Sequence, residues 1–272
     1  MIFLFSAAFA APTYAAACPT IATDPPACPA GSPLGTSVDT PYEWGPAGGG
    51  LQPWWGRLSC GDGRIPQLRR AGAAGSPETP SRSPASGEPS LAAVDVVDAW
   101  QVGCPAGRYE LFVNVYRCGE TCVPSAFTVM PGGAVRHFEA AKAAARAKDV
   151  AGAVAAARSA TDTAPEHERA WVFRGSLAED LGRWDEALLV WEATVRRFPG
   201  PLSDSHRAEA LARTGRKDQA RELAASLLAA APDAPGRARL LCVQSLVQSD
   251  ATKAKVLAGQ ACSEGYTRCC GG

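Results

Sequence analysis

Four cysteines, Cys60, Cys104, Cys118 and Cys122, are the residues whose type and spacing most directly suggest chemistry. Four thiolates make a tetrahedral zinc site, and Cys118 and Cys122 share one short segment. The competing reading is a pair of disulfides. It is favoured because the chain carries 10 cysteines, a density rarely found without a metal in a reducing compartment. No metal or cofactor is therefore expected. The other cysteines form two groups, Cys18 with Cys28 and, near the end, Cys242, Cys262, Cys269 and Cys270. Each group is even, so each segment is expected to close its own bridges. Cys18 would meet Cys28, and Cys242 would meet Cys262 or Cys269; the adjacent Cys269 and Cys270 have no assignable partners.

Other reactive side chains are sparse. The 3 histidines, His137, His167 and His206, stand near expected helix starts and read as surface residues. Walker, GxSxG, HExxH and GxGxxG motifs are absent from the sequence. Asp95, Asp98, Glu110 and Glu120 contain no spacing that selects an acid/base pair. Trp54, Trp55, Trp100 and Tyr109 offer an aromatic platform for sugar or peptide, but filling a small core is the preferred reading. No enzyme is expected; the alternative is a carbohydrate-binding or hydrolytic module in residues 54–133.

Charge excludes a polyanion binder. Lys plus Arg and Asp plus Glu number 27 each, and residues 18–133 and 134–272 carry net charges of only −3 and +3. Nucleic acid is not an expected partner. The start, MIFLFSAAFAAPTYAAAC, resembles a secretory signal lacking its charged n-region, with residues 1–17 removed. The apolar run at 2–11 is too short to span a bilayer, and no span is expected in the mature chain. AAAC before Cys18 resembles a degenerate lipoprotein box. Lipidation there would leave Cys28 unpaired and is not favoured. An exported protein, periplasmic or secreted and with outer-membrane association left open, is the expectation.

The elements that must position these residues differ along the chain. Residues 18–53, rich in Pro, Gly and Thr, read as a disordered arm. Residues 54–133 read as a small cysteine-rich β module, with RYELFVNVY (108–116) as its clearest strand and WWGRLSC and VVDAWQVGC as weaker ones. The stretch 71–90, AGAAGSPETPSRSPASGEPS, reads as a disordered insertion. From residue 134 helix formers dominate, and 266–272 is a cysteine-rich tail.

The helical part repeats. Ala153, Ala187, Ala220 and Ala254 follow one another at 34, 33 and 34 residues. Pro165, Pro199 and Pro232 keep the same beat, and Gly182 and Gly215 each precede their alanine by five. The clearest unit is AWVFRGSLAEDLGRWDEALLVWEATVRRFPG (170–200). Trp171, Gly175 and Ala178, then Gly182, Trp184, Ala187, Trp191, Thr194 and Pro199, make it resemble a tetratricopeptide repeat (TPR). Arg174 and Ala178 depart from the usual Leu and Tyr. Units near 134–166, 201–233 and 235–265 are more degenerate. Gly175 and Ala187 are small where two helices approach closely, Gly182 ends the first helix, and the three tryptophans read as core.

The expected fold is mainly α: a C-terminal TPR-like α-α solenoid over 134–265, preceded by the disulfide-stapled β-rich module and the disordered arm. The resemblance implies a non-enzymatic scaffold that binds a protein segment on a groove lined by the first helix of each unit. Residue by residue it implies Phe138, Lys142 and Arg146; Arg169, Val172, Ser176, Glu179 and Asp180; and Ser205, Glu209 and Arg213. The surface so formed is mixed in charge, and solvation alone accounts for about half of it.

Overall fold

A computed structural model describes residues 57–75, 97–114, 122–230 and 234–270, with Asp24, Ala27, Cys28, Ala30, Ser32, Tyr42 and Glu43 before them. The expected signal, most of the arm, residues 76–90 of the expected insertion, and Cys18, Trp54, Trp55, Asp95, Cys118, Glu120 and Pro232 lie outside the described residues. Among the described residues no helix is long and apolar enough to cross a membrane. The chain divides into two units, residues 1–58 with 67–125 and residues 59–66 with 126–272.

The first unit is built on a sheet ordered β1-β5-β4-β3: β1 (Tyr42–Glu43), β3 (Gln67–Gly75), β4 (Val97–Cys104) and β5 (Gly107–Asn114). β4 pairs antiparallel with β3 and β5, and β1 runs parallel to β5. Trp100 stands opposite Leu111 and Val102 opposite Tyr109, so both expected platform aromatics share the face of buried Val102, Leu111 and Val113. β3 extends to residue 75, five residues into the stretch read as an insertion. Its alanines and glycines carry little strand propensity, and pairing with β4 overrides this, with register shifts after Arg70 and Ala73. The expected closure of each cysteine group on itself fails here. Cys28 bonds Cys122, beside an Ala27–Val123 bridge and a Cys28 N–H to Val123 carbonyl bond of 2.8 Å. Cys60 and Cys104 are also disulfide-bonded, so thiolates for a zinc site are not free at Cys60, Cys104 or Cys122.

The second unit carries eight helices among the described residues: α1 (Gly132–Arg146), α2 (Val150–Thr163), α3 (Glu168–Asp180), α4 (Trp184–Arg197), α5 (Pro201–Arg213), α6 (Lys217–Ala229), α7 (Ala234–Val247) and α8 (Ala251–Ser263), then a 3-10 turn at Thr267–Cys269. They pack in consecutive pairs, and each pair's second helix packs against the next pair's first. Four pairs correspond to the four repeats. Ala153, Ala187 and Ala220 are fully buried, and at Gly175 an added Cβ would lie 2.5 Å from the Trp191 ring. Trp191 is the core tryptophan; Trp171 and Trp184 are only half-buried, contrary to expectation. Trp171 donates Nε1–H to the Pro165 carbonyl at 2.9 Å.

Helix ends repeat with the same register. Gly182 and Gly215 have φ of 69° and 83°, and the following N–H groups of Arg183 and Arg216 reach back to the carbonyls of Ala178 and Leu211. The equivalent residue of the first repeat is Lys148, with φ of 61° and the same pattern from Asp149 to Ala144. Asp149 also caps α2 through the Gly152 N–H at 2.9 Å.

Residues 59–66, assigned from sequence to the β module, instead belong with the helices. β2 (Leu58–Cys60) pairs with β6 (Phe127–Val129) in a separate two-stranded sheet. Gly63 accepts from the Glu168 N–H at 3.0 Å, the Ile65 N–H donates to the Glu168 carboxylate at 2.9 Å, and Arg64 donates to the Pro199 carbonyl at 3.1 Å. His167, expected on the surface, is buried against the Ser59 hydroxyl at 3.1 Å.

Two substitutions test this packing by urea unfolding. Gly175→Ala should lower stability by about 1–3 kcal/mol, since the Trp191 ring must move. Lys148→Gly should raise it by about 1 kcal/mol by relieving the left-handed backbone. A stabilising Gly175→Ala would show that the two helices are not in close contact there.

Candidate functional site

Two carboxylates sit inside the helical unit where sequence suggested a solvated groove. Glu179, near the end of α3, and Glu209, on α5, have fully buried side chains. Glu179 is met from four directions. Its Oε1 accepts the Trp191 indole N–H of α4 at 2.8 Å and lies 2.7 Å from His206 Nδ1 of α5. Its Oε2 accepts from Arg239 of α7 at 3.3 Å and from Arg268, beyond α8, at 2.5 Å. Glu209 Oε2 accepts from Arg239 at 2.9 Å and from the Tyr266 hydroxyl. Its Oε1 has no hydrogen-bond partner among the described residues; the nearest cation is Arg213 at 3.5 Å.

Aromatic faces frame the charges. The His206 ring stacks on Trp191 with centroids 4.1 Å apart. Arg213 and Arg268 lie over the half-buried Trp184 ring at 5.1 and 5.8 Å, and Arg239 lies over Tyr266 at 5.0 Å. Arg268 also pairs with the exposed Asp180.

The tail is held in this position covalently. Cys242 of α7 bonds Cys269 and Cys262 of α8 bonds Cys270, which places Tyr266 and Arg268 against the first helices. The first bridge is one of the two pairings expected for Cys242. Cys242, Ala261 and Cys269 form a small core with Tyr266 packed on it.

The residues expected to contact a partner divide sharply. Phe138 is core, packed with Met130 and Ala134 and stacked on Phe173 at 4.2 Å. Val172 packs on the main core, and Ser205 is buried and donates to the Leu202 carbonyl at 2.8 Å. Glu179 and Glu209 are internal. Arg169, Ser176 and Arg213 are half-buried, while Lys142, Arg146 and Asp180 are exposed. Lys142 pairs with Glu139 at 2.8 Å. The resemblance to the tetratricopeptide repeat implied these residues on the first helices but carries no information on the tail, which meets Glu179, Asp180, Glu209 and Arg213.

His206 was missed because its partner is 27 residues earlier, and Arg268 because its partner is 89 earlier. Elsewhere, Asp98 and Glu110 cannot pair: buried Asp98 binds Arg70 at 2.6 Å, whereas Glu110 is exposed on the opposite face of the sheet.

Burial opposes ionisation of Glu179, but the hydrogen bond from His206 and the cations Arg239 and Arg268 outweigh it and hold the carboxyl at about 2, below its usual 4.5. Burial lowers the pKa of His206 from 6.5 despite Glu179, and burial likewise lowers that of His167. All three shifts are depressions, so each contribution is present above the usual pKa and lost as pH falls through the folded one. Stability should therefore begin to fall below pH 6.5 and steepen between 4.5 and about 2. Glu179→Gln should flatten the lower segment. Glu179→Ala should cost about 3–5 kcal/mol at neutral pH, because Trp191 and His206 lose their acceptor and Arg239 and Arg268 each lose one of two carboxylates. Thermal melts across pH measure both, and an unchanged acid limb in Glu179→Gln would contradict the assignment.

A family model described as a tetratricopeptide repeat matches residues 138–200 and 177–235. Among solved structures, an O-GlcNAc transferase mutant from Thermobaculum terrenum is 18% identical over 48% of this chain and 26% of that chain, with a TM-score of 0.37. The chain thus spans about a quarter of that protein. YrrB, described as a TPR protein with an unusual peptide-binding site, is 14% identical over 48% of this chain and 86% of its own, with a TM-score of 0.21. No curated protein sequence matches. The helical part of the chain, over residues 138–235, belongs to the tetratricopeptide repeat family.

Proposed function

We propose that the protein is a non-enzymatic scaffold that binds a segment of a protein partner on the first helices of its repeats, in an exported, oxidising compartment. The observation that carries this reading is the division of that face. Its C-terminal half is closed by the protein's own tail, whereas Lys142 and Arg146 of α1 are exposed, with Arg169 half-buried at the start of α3. A partner segment carrying acidic side chains suits this basic half. Cysteine chemistry supports the compartment: every cysteine among the described residues is in a disulfide, and such bonds persist where thiols are oxidised.

Charge reversal tests the reading. Partner capture by the full chain should weaken about tenfold or more in Lys142→Glu/Arg146→Glu. It should be unchanged in Lys253→Glu/Lys255→Glu, on the exposed side of α8. Equal capture by both double variants would move docking away from the first helices.

A further inference from the structure

The segment after α8 does more than cap the last helix pair. Arg268 reaches Glu179 at 2.5 Å, pairs with Asp180 and lies over the Trp184 ring at 5.8 Å. A planar, delocalised cation that takes carboxylate oxygens along its edge and an aromatic ring on its face uses the binding properties that separate Arg from Lys. Without Arg268, three carboxylates (Glu179, Asp180 and Glu209) would face two guanidiniums, Arg213 and Arg239. The site would keep a net negative charge. Glu209 Oε1, fully buried and lacking a hydrogen-bond partner among the described residues, leaves one acceptor still open to a donor.

We propose that Glu179, Asp180, Glu209 and Trp184 form a guanidinium-recognition site that the chain's own Arg268 fills, and that an arginine-bearing segment of a partner protein takes that place when the tail is released. Release has a defined chemistry. The reduced dithiol of a redox partner protein, a local reductant within an otherwise oxidising compartment, reduces Cys242–Cys269 and a second such dithiol reduces Cys262–Cys270. Each reaction transfers two electrons and two protons, leaves two cysteine thiols, and closes the dithiol to its own cyclic disulfide. Once both bridges are open, the tail is held only by non-covalent contacts, Tyr266 on the small core and its hydroxyl on Glu209, and Arg268 competes as an intramolecular ligand. The inference rests on the reading of the first helices as a docking face and adds a second, C-terminal subsite to the basic half at Lys142 and Arg146.

The test uses the full oxidised chain and the probes N-acetyl-arginine amide and N-acetyl-lysine amide. Arg268→Ala should gain thermal stability from the arginine probe and bind it about tenfold or more tighter than the lysine probe. The oxidised parent should respond to neither, and Glu179→Gln/Arg268→Ala should lose the response. The parent treated with dithiothreitol, with all four tail thiols titratable, should bind the arginine probe more tightly than the oxidised parent and more weakly than Arg268→Ala, because its own Arg268 still competes. If Arg268→Ala is unfolded alone, recovery of helical circular dichroism on adding the arginine probe supports the site, and no recovery overturns it. A folded Arg268→Ala that ignores the arginine probe, or answers both probes equally, also overturns it. A reduced parent that binds nothing overturns release by reduction. Failure of these probes while Lys142→Glu/Arg146→Glu still weakens capture is a failure of the arginine site alone; the reverse pattern is a failure of the docking reading alone.

Discussion

A carboxylate removed from water must find donors for its oxygens, and Glu179 finds them on four separate elements. Trp191, His206, Arg239 and Arg268 converge on it from α4, α5, α7 and the tail. Burying this charge costs several kcal/mol unless that set is complete. The requirement therefore fixes more than one contact. It sets how three repeats stack on one another and where the chain's last turn must lie. A buried ion pair is weak evidence for net stability, but each missing donor leaves the buried carboxylate less compensated, so alternative packings of the same helices are penalised.

Helical arrays leave an apolar flank at each end, and the final pair is usually the one that must be covered. Here α7 and α8 are covered by a segment too short to fold by itself, held by the Cys242–Cys269 and Cys262–Cys270 bridges. The same few residues close the small core around Ala261 and deliver Tyr266 and Arg268 to the carboxylate pair. Capping and occupancy of the site are thus one structural event. At the start of the second repeat the loop at 59–66 contributes Gly63, whose Cβ position is already taken by the Glu166 carbonyl, 1.7 Å away. Only glycine fits there, both for that approach and for its φ of 80°.

Much of the helical fold was legible from spacing. The alanine, proline and glycine marks recur at 33 and 34 residues because each repeat needs one close approach, one stop and one left-handed residue. The structure places Gly175 against Trp191 and Gly182 and Gly215 at positive φ for those reasons. Strand β5 followed from alternation and β4 was a weaker candidate, whereas β3 was not expected, since its Ala and Gly residues reveal no preference until β4 lies beside them. Parity of cysteine groups proved a poor guide in the first unit. Proximity in sequence does not measure proximity in space, and Cys28 finds Cys122 across 94 residues.

The division of labour is physical. Local steric demands repeat in every unit and so write themselves into the sequence as a period; the repeat family and the helix boundaries follow from that period. A site assembled once, from Glu179, His206, Glu209, Arg239, Tyr266 and Arg268, has no period. Each of those residues alone reads as a charged or polar position on a helix or tail. Only tertiary packing withdrew the two glutamates from water, and only the two terminal disulfides decided that the chain's own arginine would meet them.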